Sequence, residues 1–174
     1  MSLSINYTYE PTSLSLERAV ALKSEIDLFN SEYCAVLDQD HVELWPSFFT
    51  EDAIYRITSR ENVELNMLVG LVYAEGRGMM RDRAIAISRT QMFAPRYLQH
   101  LVTNIRPIAE DGNVIYAQAN FALLQTLVEG PSTLHLTGTY YDLYERQEDG
   151  KLLLKERQVI FDTSVLANDL VYPV

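Results

Sequence analysis

The chain has 174 residues, of which 48% are hydrophobic and 22% charged, and these values predict one globular domain with a core of its own. Its formal net charge of −10 argues against general nucleic-acid binding, because that function needs a basic surface. Its single cysteine excludes an internal disulfide and also a cysteine-based metal cluster within one chain.

Residues 1–15 predict an extended arm, because Pro11 stands among scattered serines and threonines. The arm lacks the basic start and the apolar run of a signal peptide, and no later run reaches the roughly 20 apolar residues of a membrane helix. We therefore expect a cytoplasmic protein without membrane contact, in which residues 16–174 form one domain that includes a C-terminal tail.

An apolar stripe at helical spacing predicts a first helix over residues 16–37, with Ser15 as its N-cap. Cys34 lies close to this stripe, so we expect it to act as a small buried hydrophobe. The stripe consists of Leu22, Ile26, Phe29, Tyr33 and Leu37.

The segment after the first helix combines a short helix with a strand. Asp40 and Glu43 resemble a capping box and predict a second helix, which Pro46 keeps brief. Residues 51–58 then predict a first strand. Within the segment 60–74, residues 63–73 leave two alternatives open, a short strand or an irregular loop.

A third helical pattern opens at Gly76 and Gly78, and its apolar face contains Met80, Ala84 and Ile87. Residues 77–106 contain six arginines against a single acid, an asymmetry that either steers a partner or reflects a solvated face with local ion pairs. The arginines on the other faces of the helix are the candidate partner contacts: Arg77, Arg81, Arg83 and Arg89.

Residues 99–163 predict the organising element of the fold. Four runs rich in β-branched and aromatic residues are separated by turn residues at 111–113, 129–132 and 148–150. Gaps this short predict an antiparallel meander, since parallel strands need longer crossovers. Helix-rich and strand-rich regions are segregated, so we expect an α+β cone with helices packed on a curved sheet. The apolar tail, 164–174, must pack on its own domain or on a neighbour.

Metal binding through the three histidines has little support in the sequence. A mononuclear iron site needs two histidines and a carboxylate on one face, and no motif of that spacing occurs. We therefore expect hydrogen-bonded structural or surface roles for His41, His100 and His135.

Acid–base chemistry inside the cone is a second candidate, since burial can tune the pKa of a carboxyl group. The candidate residues for this chemistry are Asp52, Asp142 and Asp162 together with His100 or Tyr140. The alternative is that Asp142 and Asp162 pair with arginines such as Arg146 or Arg157 and join adjacent strands.

Three runs in the sheet region resemble the small (β) subunit of aromatic-ring-hydroxylating dioxygenases, a family with the NTF2-like (SnoaL-like) cone fold. They are HLVTNIR at 100–106, GTYYDL with a later arginine at 138–146, and RQVIFD at 157–162. The run FFTEDAIYRI at 48–57 follows the first helix in the family's order, and the resemblance spans residues 16–168. The residues that match are His100, Asn104, Arg106, Gly138, Tyr140, Asp142, Arg157 and Asp162.

The resemblance implies a structural subunit of an oxidoreductase complex rather than a catalytic chain. In that family the partner α subunit holds the Rieske [2Fe–2S] cluster and the mononuclear Fe(II), and the usual assembly is an α3β3 hexamer with a β trimer. One cysteine agrees with this division, because a Rieske centre needs two cysteines and two histidines. The alternatives are a stand-alone cone-fold isomerase or dehydratase and a ligand-binding homo-oligomer.

Overall fold

The computed structural model describes residues 4–67, 69–90, 92–166 and 169–174. None of the helices within these ranges is long and apolar enough to cross a membrane. The elements follow in chain order as α1 (Leu16–Asp38), a 3-10 helix (Val42–Phe48), β1 (Phe49–Ser59), α2 (Arg60–Glu64), β2 (Val72–Glu75), α3 (Arg77–Ile85), a π-helical turn (Ala86–Thr90), β3 (Arg96–Asp111), β4 (Val114–Leu127), β5 (Ser132–Arg146) and β6 (Leu152–Phe161).

The strands form one six-stranded sheet in the order β2-β1-β6-β5-β4-β3. The predicted meander is confirmed, because β3 to β6 pair antiparallel with their neighbours along the chain. The strand β1 pairs parallel with β6, with Tyr55 opposite Arg157. The N-terminal helix packs on this sheet, and the expected α+β cone is confirmed.

The first helix is confirmed with its predicted cap and its predicted buried face. The Ser15 side chain accepts a hydrogen bond from the Arg18 backbone N–H at 3.2 Å. Cys34 is buried among the core residues, as expected for a small hydrophobe. The apolar residues that α1 buries are Leu22, Ile26, Tyr33, Cys34 and Leu37.

The capping box predicted at Asp40 is wrong. Asp40 has a left-handed backbone, with φ of 61°, and the helix that follows begins at Val42 without any side-chain cap. The Asp40 carboxylate accepts a hydrogen bond from the Tyr172 hydroxyl at 2.6 Å, so the tail engages it instead of the helix. Pro46 is buried inside this 3-10 helix, which is short as predicted.

Residues 60–74 contain both a helix and the start of a strand, apart from residue 68, which lies outside the described residues. Ser59 caps α2 by accepting from the Asn62 backbone N–H at 3.2 Å. The strand β2 then adds an edge to the sheet, with Ala74 opposite Tyr55 of β1. Of the two alternatives, the short strand is therefore correct for the end of this segment.

The tail packs on its own domain, apart from residues 167 and 168, which are outside the described ranges. Val174 has no exposed surface, and its carbonyl oxygen accepts from the hydroxyls of Tyr33 and Tyr55, each at 3.1 Å. The predicted apolar face of α3 is also confirmed, because Met80 and Ala84 are buried in the same core.

The arm runs along the outer face of the sheet from residue 4. The Ser13 backbone N–H donates to the carbonyl of Ile108 at 2.8 Å, and the Tyr116 hydroxyl donates to the carbonyl of Asn6 at 2.6 Å. A second, smaller apolar cluster lies under the arm, and it contains Ile108, Tyr116 and Leu143, with Ile5 and Tyr141 at its edge.

Candidate functional site

The interior of the cone contains a buried ion pair between β5 and β6. Arg157 donates to Asp142 through Nε at 2.9 Å and Nη2 at 2.8 Å, and their side chains are 0% and 2% exposed. The Tyr144 hydroxyl donates to the same carboxylate at 2.9 Å. Burial opposes the charge of Arg157, but the Asp142 carboxylate beside it keeps the pKa of the guanidinium well above its ordinary value. For Asp142, the ion-pair alternative is therefore correct.

Arg157 also connects the sheet to α1. Its Nη2 donates to the Asn30 side-chain carbonyl at 2.8 Å. Its guanidinium carbon lies 4.4 Å from the ring centre of Tyr33 and 4.2 Å from that of Tyr140, which are cation–π distances. Burial raises the pKa of Tyr33 to about 12 and that of Tyr140 well above its usual range, so both hydroxyls stay neutral.

Aromatic side chains fill the space around this ion pair. The Phe121 ring stacks on Tyr140 with centroids 4.6 Å apart, and the Trp45 ring meets Phe49 at 5.3 Å and Tyr55 at 5.1 Å, edge to face. All five of these residues are buried, with at most 2% exposure. The interior is thus packed by the chain's own side chains, and both oxygens of Asp142, the one fully buried carboxylate among the described residues, are already hydrogen-bonded.

Asp162 also forms an ion pair, but with a partner that the sequence did not suggest. Its Oδ1 lies 2.6 Å from Nε of Arg60, whereas Arg146 pairs with a glutamate of α1. The reason is the parallel register of β1 and β6. Ser59 at the end of β1 stands opposite Phe161 at the end of β6. The residues that follow these two ends, Arg60 and Asp162, therefore lie close together.

The histidines lie apart from one another, each with its own surroundings. His100 has no exposed side-chain surface, and its Nδ1 lies 2.6 Å from Oδ1 of Asp38, whose carboxylate also accepts from the His100 backbone N–H. His135 is buried, which lowers its pKa, and His41 is exposed. Asp52 is exposed and accepts from a threonine hydroxyl at 2.9 Å. The acid–base candidates named from the sequence, Asp52, Asp142 and Asp162, do not pair with His100, whose carboxylate partner is Asp38.

The donor set of this chain does not fit a Rieske centre or a mononuclear iron site. A Rieske centre requires two thiolates, and Cys34 is a single thiol whose pKa burial raises to about 12. Across the part of the chain that the structure describes, no group of three or more His, Cys, Asp or Glu side chains is placed to hold a metal ion.

The remaining motif residues shape the sheet and its contact with the arm. Asn104 has φ of 52° at an irregularity of β3, and its amide donates to the Asn120 side chain at 3.1 Å. Arg106 donates to the carbonyl of Glu10 in the arm at 2.7 Å. Gly138 lies so close to β6 that an added Cβ would come within 2.1 Å of the carbonyl oxygen of Ile160.

Three of the four α3-region arginines contact their own chain. Arg77 pairs with a glutamate of β1 at 2.6 Å, Arg83 donates to the carbonyl of Val171 at 2.8 Å, and Arg89 pairs with Glu43 at 3.2 Å. Arg81 is exposed, and the described residues offer it no hydrogen bond or ion pair. Partner contact through these arginines stays a prediction, with Arg81 its best-placed member.

The outer face of β3, β4 and β5 has exposed apolar residues that the sequence analysis did not single out. Tyr97, Leu101 and Leu134 are 69%, 45% and 58% exposed. Leu124 of β4 pairs with β3 on one side and with Leu134 of β5 on the other. The side chains of Tyr97, Leu101, Leu124 and Leu134 therefore lie on the same face of three adjacent strands. We call Tyr97, Leu101, Leu124 and Leu134 the outer patch. In the sequence, this patch is indicated by apolar residues at alternate strand positions, between the positions that face the core.

Comparisons with known proteins give a consistent result. A family model described as ring hydroxylating beta subunit matches residues 34–168. The chain is 33% identical over 150 residues to the small subunit of anthranilate 1,2-dioxygenase from Burkholderia cepacia, covering 86% of this chain and 92% of that one. It is 30% identical over 152 residues to the beta 1 subunit of the terminal oxygenase component of terephthalate 1,2-dioxygenase from Comamonas sp., covering 86% and 97%. A crystal structure assigned as the β subunit of an aromatic-ring-hydroxylating dioxygenase from Novosphingobium aromaticivorans superimposes with a TM-score of 0.81 at 30% identity, covering 89% of this chain and 98% of that one.

Proposed function

Since the chain belongs to the family of ring-hydroxylating β subunits, we propose that it is the structural subunit of a Rieske non-haem iron dioxygenase that hydroxylates aromatic compounds. In this role it holds catalytic α subunits in place and takes no part in the chemistry. The observation that supports this role is the packed interior, in which buried aromatic side chains surround the ion pair of Arg157 with Asp142.

The partner α subunit supplies both redox groups in this proposal. The Rieske [2Fe–2S] cluster and the mononuclear Fe(II) reside there, as membership of the β-subunit family implies, and the single cysteine of this chain agrees with that division. The named relatives belong to dioxygenases of anthranilate and terephthalate, so the proposed substrate is an aromatic acid. The proposed assembly is a cytoplasmic α3β3 hexamer around a β trimer.

The outer patch is the proposed contact between copies of this chain. A chain with net charge −10 repels its own copies, so self-association is most favourable through a surface without charged side chains. Tyr97, Leu101, Leu124 and Leu134 form such a surface, and large exposed apolar side chains are typical of interfaces. The occupant that this composition favours is therefore a second copy of the chain.

The filled interior argues against the stand-alone isomerase or dehydratase. That function, in the form that uses Asp142, needs this aspartate free to face a histidine or tyrosine, whereas both its oxygens already accept from Arg157 and Tyr144. A ligand-binding homo-oligomer without a partner is tested by the same experiment as the main proposal.

The experiment is co-expression with an α subunit that contains the C-x-H and C-x-x-H motifs of a Rieske centre. We expect a stable complex whose turnover of an aromatic acid is unchanged by Tyr140→Phe, because no described residue hydrogen-bonds the Tyr140 hydroxyl. Failure to form the complex, or loss of turnover in an intact Tyr140→Phe complex, would contradict the proposal.

The outer patch is tested on the chain by itself. We expect light scattering to show a trimer for the native chain and a monomer for Leu101→Asp and Leu134→Asp. The control is Leu28→Asp, at a position on α1 that is 70% exposed and distant from the patch in sequence. Retention of the trimer by both patch variants would remove the patch from the interface.

A further inference from the structure

A pocket lies on the outer face of the sheet, between the arm, α2 and the strands β5 and β6. Its volume is about 340 Å³, which is at the lower end of the range for small-molecule sites. Nothing in the proposed function uses it, since the chemistry proposed above takes place in another chain. We call it the arm pocket, and its lining is Asn6, Tyr7, Thr8, Arg60, Val63, Glu64, Thr139, Tyr141 and Ile160.

The arm pocket has an aromatic wall. The rings of Tyr7 and Tyr141 meet edge to face, with centroids 5.1 Å apart and planes at 73°. Val63 and Ile160 add aliphatic surface from α2 and β6. Both tyrosines are half-buried, and burial raises the pKa of each, so their hydroxyls keep their protons. These walls suit a single flat ring, which would stack or pack edge-on against them.

Most polar groups of the pocket that can form further hydrogen bonds are donors. Arg60 uses Nε to pair with Asp162 at 2.6 Å, and no described residue takes its two terminal nitrogens. The Thr139 hydroxyl accepts from Asn120 at 3.3 Å and still has its own proton to donate. No described residue hydrogen-bonds the Tyr141 hydroxyl.

The terminal nitrogens of Arg60 are the pocket's site for an anion, because Arg60 pairs with Asp162 through Nε alone. Burial raises the pKa of Tyr141, the charges of Arg60 and Arg106 lower it, and the Asp162 carboxylate raises it. The remaining acid of the lining is Glu64, which is exposed on α2 and therefore solvated. A carboxylate matches the fork of terminal nitrogens that Arg60 keeps free.

We propose that the arm pocket binds a small aromatic carboxylate. The ring lies against Tyr141, Val63 and Ile160, and the carboxylate accepts from Arg60 and from a hydroxyl of the pocket. This site goes beyond the structural role, because it gives the subunit a ligand of its own outside the catalytic chain. It does not depend on the proposed function, since the pocket is formed entirely within this chain.

The test uses the full chain alone, isotope-labelled, with benzoate as the probe and backbone amide shifts as the readout. We expect saturable shifts at residues 6–8, 60–64 and 139–141. Benzyl alcohol lacks the carboxylate and benzamidine reverses its charge, so both should bind at least about tenfold more weakly, as expected for loss of a charged hydrogen bond. Shifts elsewhere, or equal binding of benzamidine, would overturn the proposal.

Two variants separate the ring contact from the charge contact. Val63→Trp fills the pocket and should abolish binding, and Arg60→Gln should weaken it about tenfold. The matched control is Arg89→Gln, which removes another exposed arginine with a carboxylate partner. Unchanged benzoate affinity in both pocket variants would mean that the compound binds at another place. Because no α subunit is present, the result stands or fails independently of complex formation.

Discussion

The buried ion pair makes a quantitative prediction about the stability of the fold. Replacing Arg157 by methionine leaves Asp142 2% exposed, with the Tyr144 hydroxyl as its remaining side-chain donor. Removing one partner of a buried pair costs about 3–5 kcal/mol, because the other charge stays buried without compensation. The variant also loses the bond to Asn30 and two ring contacts, so we expect the upper half of that range.

Urea denaturation followed by circular dichroism and by the fluorescence of Trp45, the single tryptophan, measures this loss. With a slope of about 2 kcal/mol per molar urea, the midpoint should fall by about 2 M. The matched control is Arg89→Met, whose solvent-exposed pair with Glu43 should leave the urea midpoint nearly unchanged.

The double variant Asp142→Leu with Arg157→Met decides whether the charge is the cause. Removing both charges leaves an apolar interior, so the double variant should recover at least half of the lost stability. Two results would refute the reasoning. One is a loss below about 1 kcal/mol in Arg157→Met, and the other is a double variant as unstable as the sum of the two single variants.

Three further predictions concern close packing and buried groups. Gly138→Ala should lower the free energy of unfolding by about 2–3 kcal/mol, because the added Cβ would meet the Ile160 carbonyl. Gly112→Ala, at a φ of 62° in open space, should lower it by only about 1 kcal/mol. Equal urea midpoints for the two variants would contradict this expectation. Burial raises the pKa of both Cys34 and Tyr33 to about 12, so between about pH 9 and pH 12 the folded chain keeps protons that the unfolded chain releases. Stability should therefore fall as pH rises through this range, by about 1.4 kcal/mol per pH unit for each group, and a urea midpoint that stays constant from about pH 8 to pH 10.5 would exclude it. Cys34 is buried, so it should resist iodoacetamide in the folded chain and react fully in urea, as measured by mass spectrometry. Rapid labelling without urea would mean that the thiol is accessible.

Local patterns predicted those parts of the fold that depend on neighbouring residues. The helical stripe of α1 and the turn residues between strands are short-range signals, and the structure confirms both. The pairing of Asp142 with Arg157 belongs to this group, since the short turn of the β5–β6 hairpin places them opposite each other.

The features that sequence reasoning missed depend on contacts between distant segments. Nothing in the sequence signals that β1 pairs parallel with β6, and without that register Asp162 cannot be matched to Arg60. The Asp38–His100 pair joins a helix end to a strand 62 positions later, with no periodicity to reveal it. The outer patch was not predicted because the alternation of apolar residues along the strands was used only to identify the positions that face the core.

The ion pair has a further consequence for the outer surface. Well-packed apolar residues often match or exceed the stability of a buried pair, so we infer that Arg157 fixes geometry here rather than adding stability. It joins β5 to β6 through Asp142 and to α1 through Asn30, and β5 contributes both to the outer patch and to the arm pocket. The double variant should therefore fold but form its trimer less completely than the native chain at equal concentration. A double variant that is stable and fully trimeric by light scattering would show that the outer surface does not depend on the charges inside.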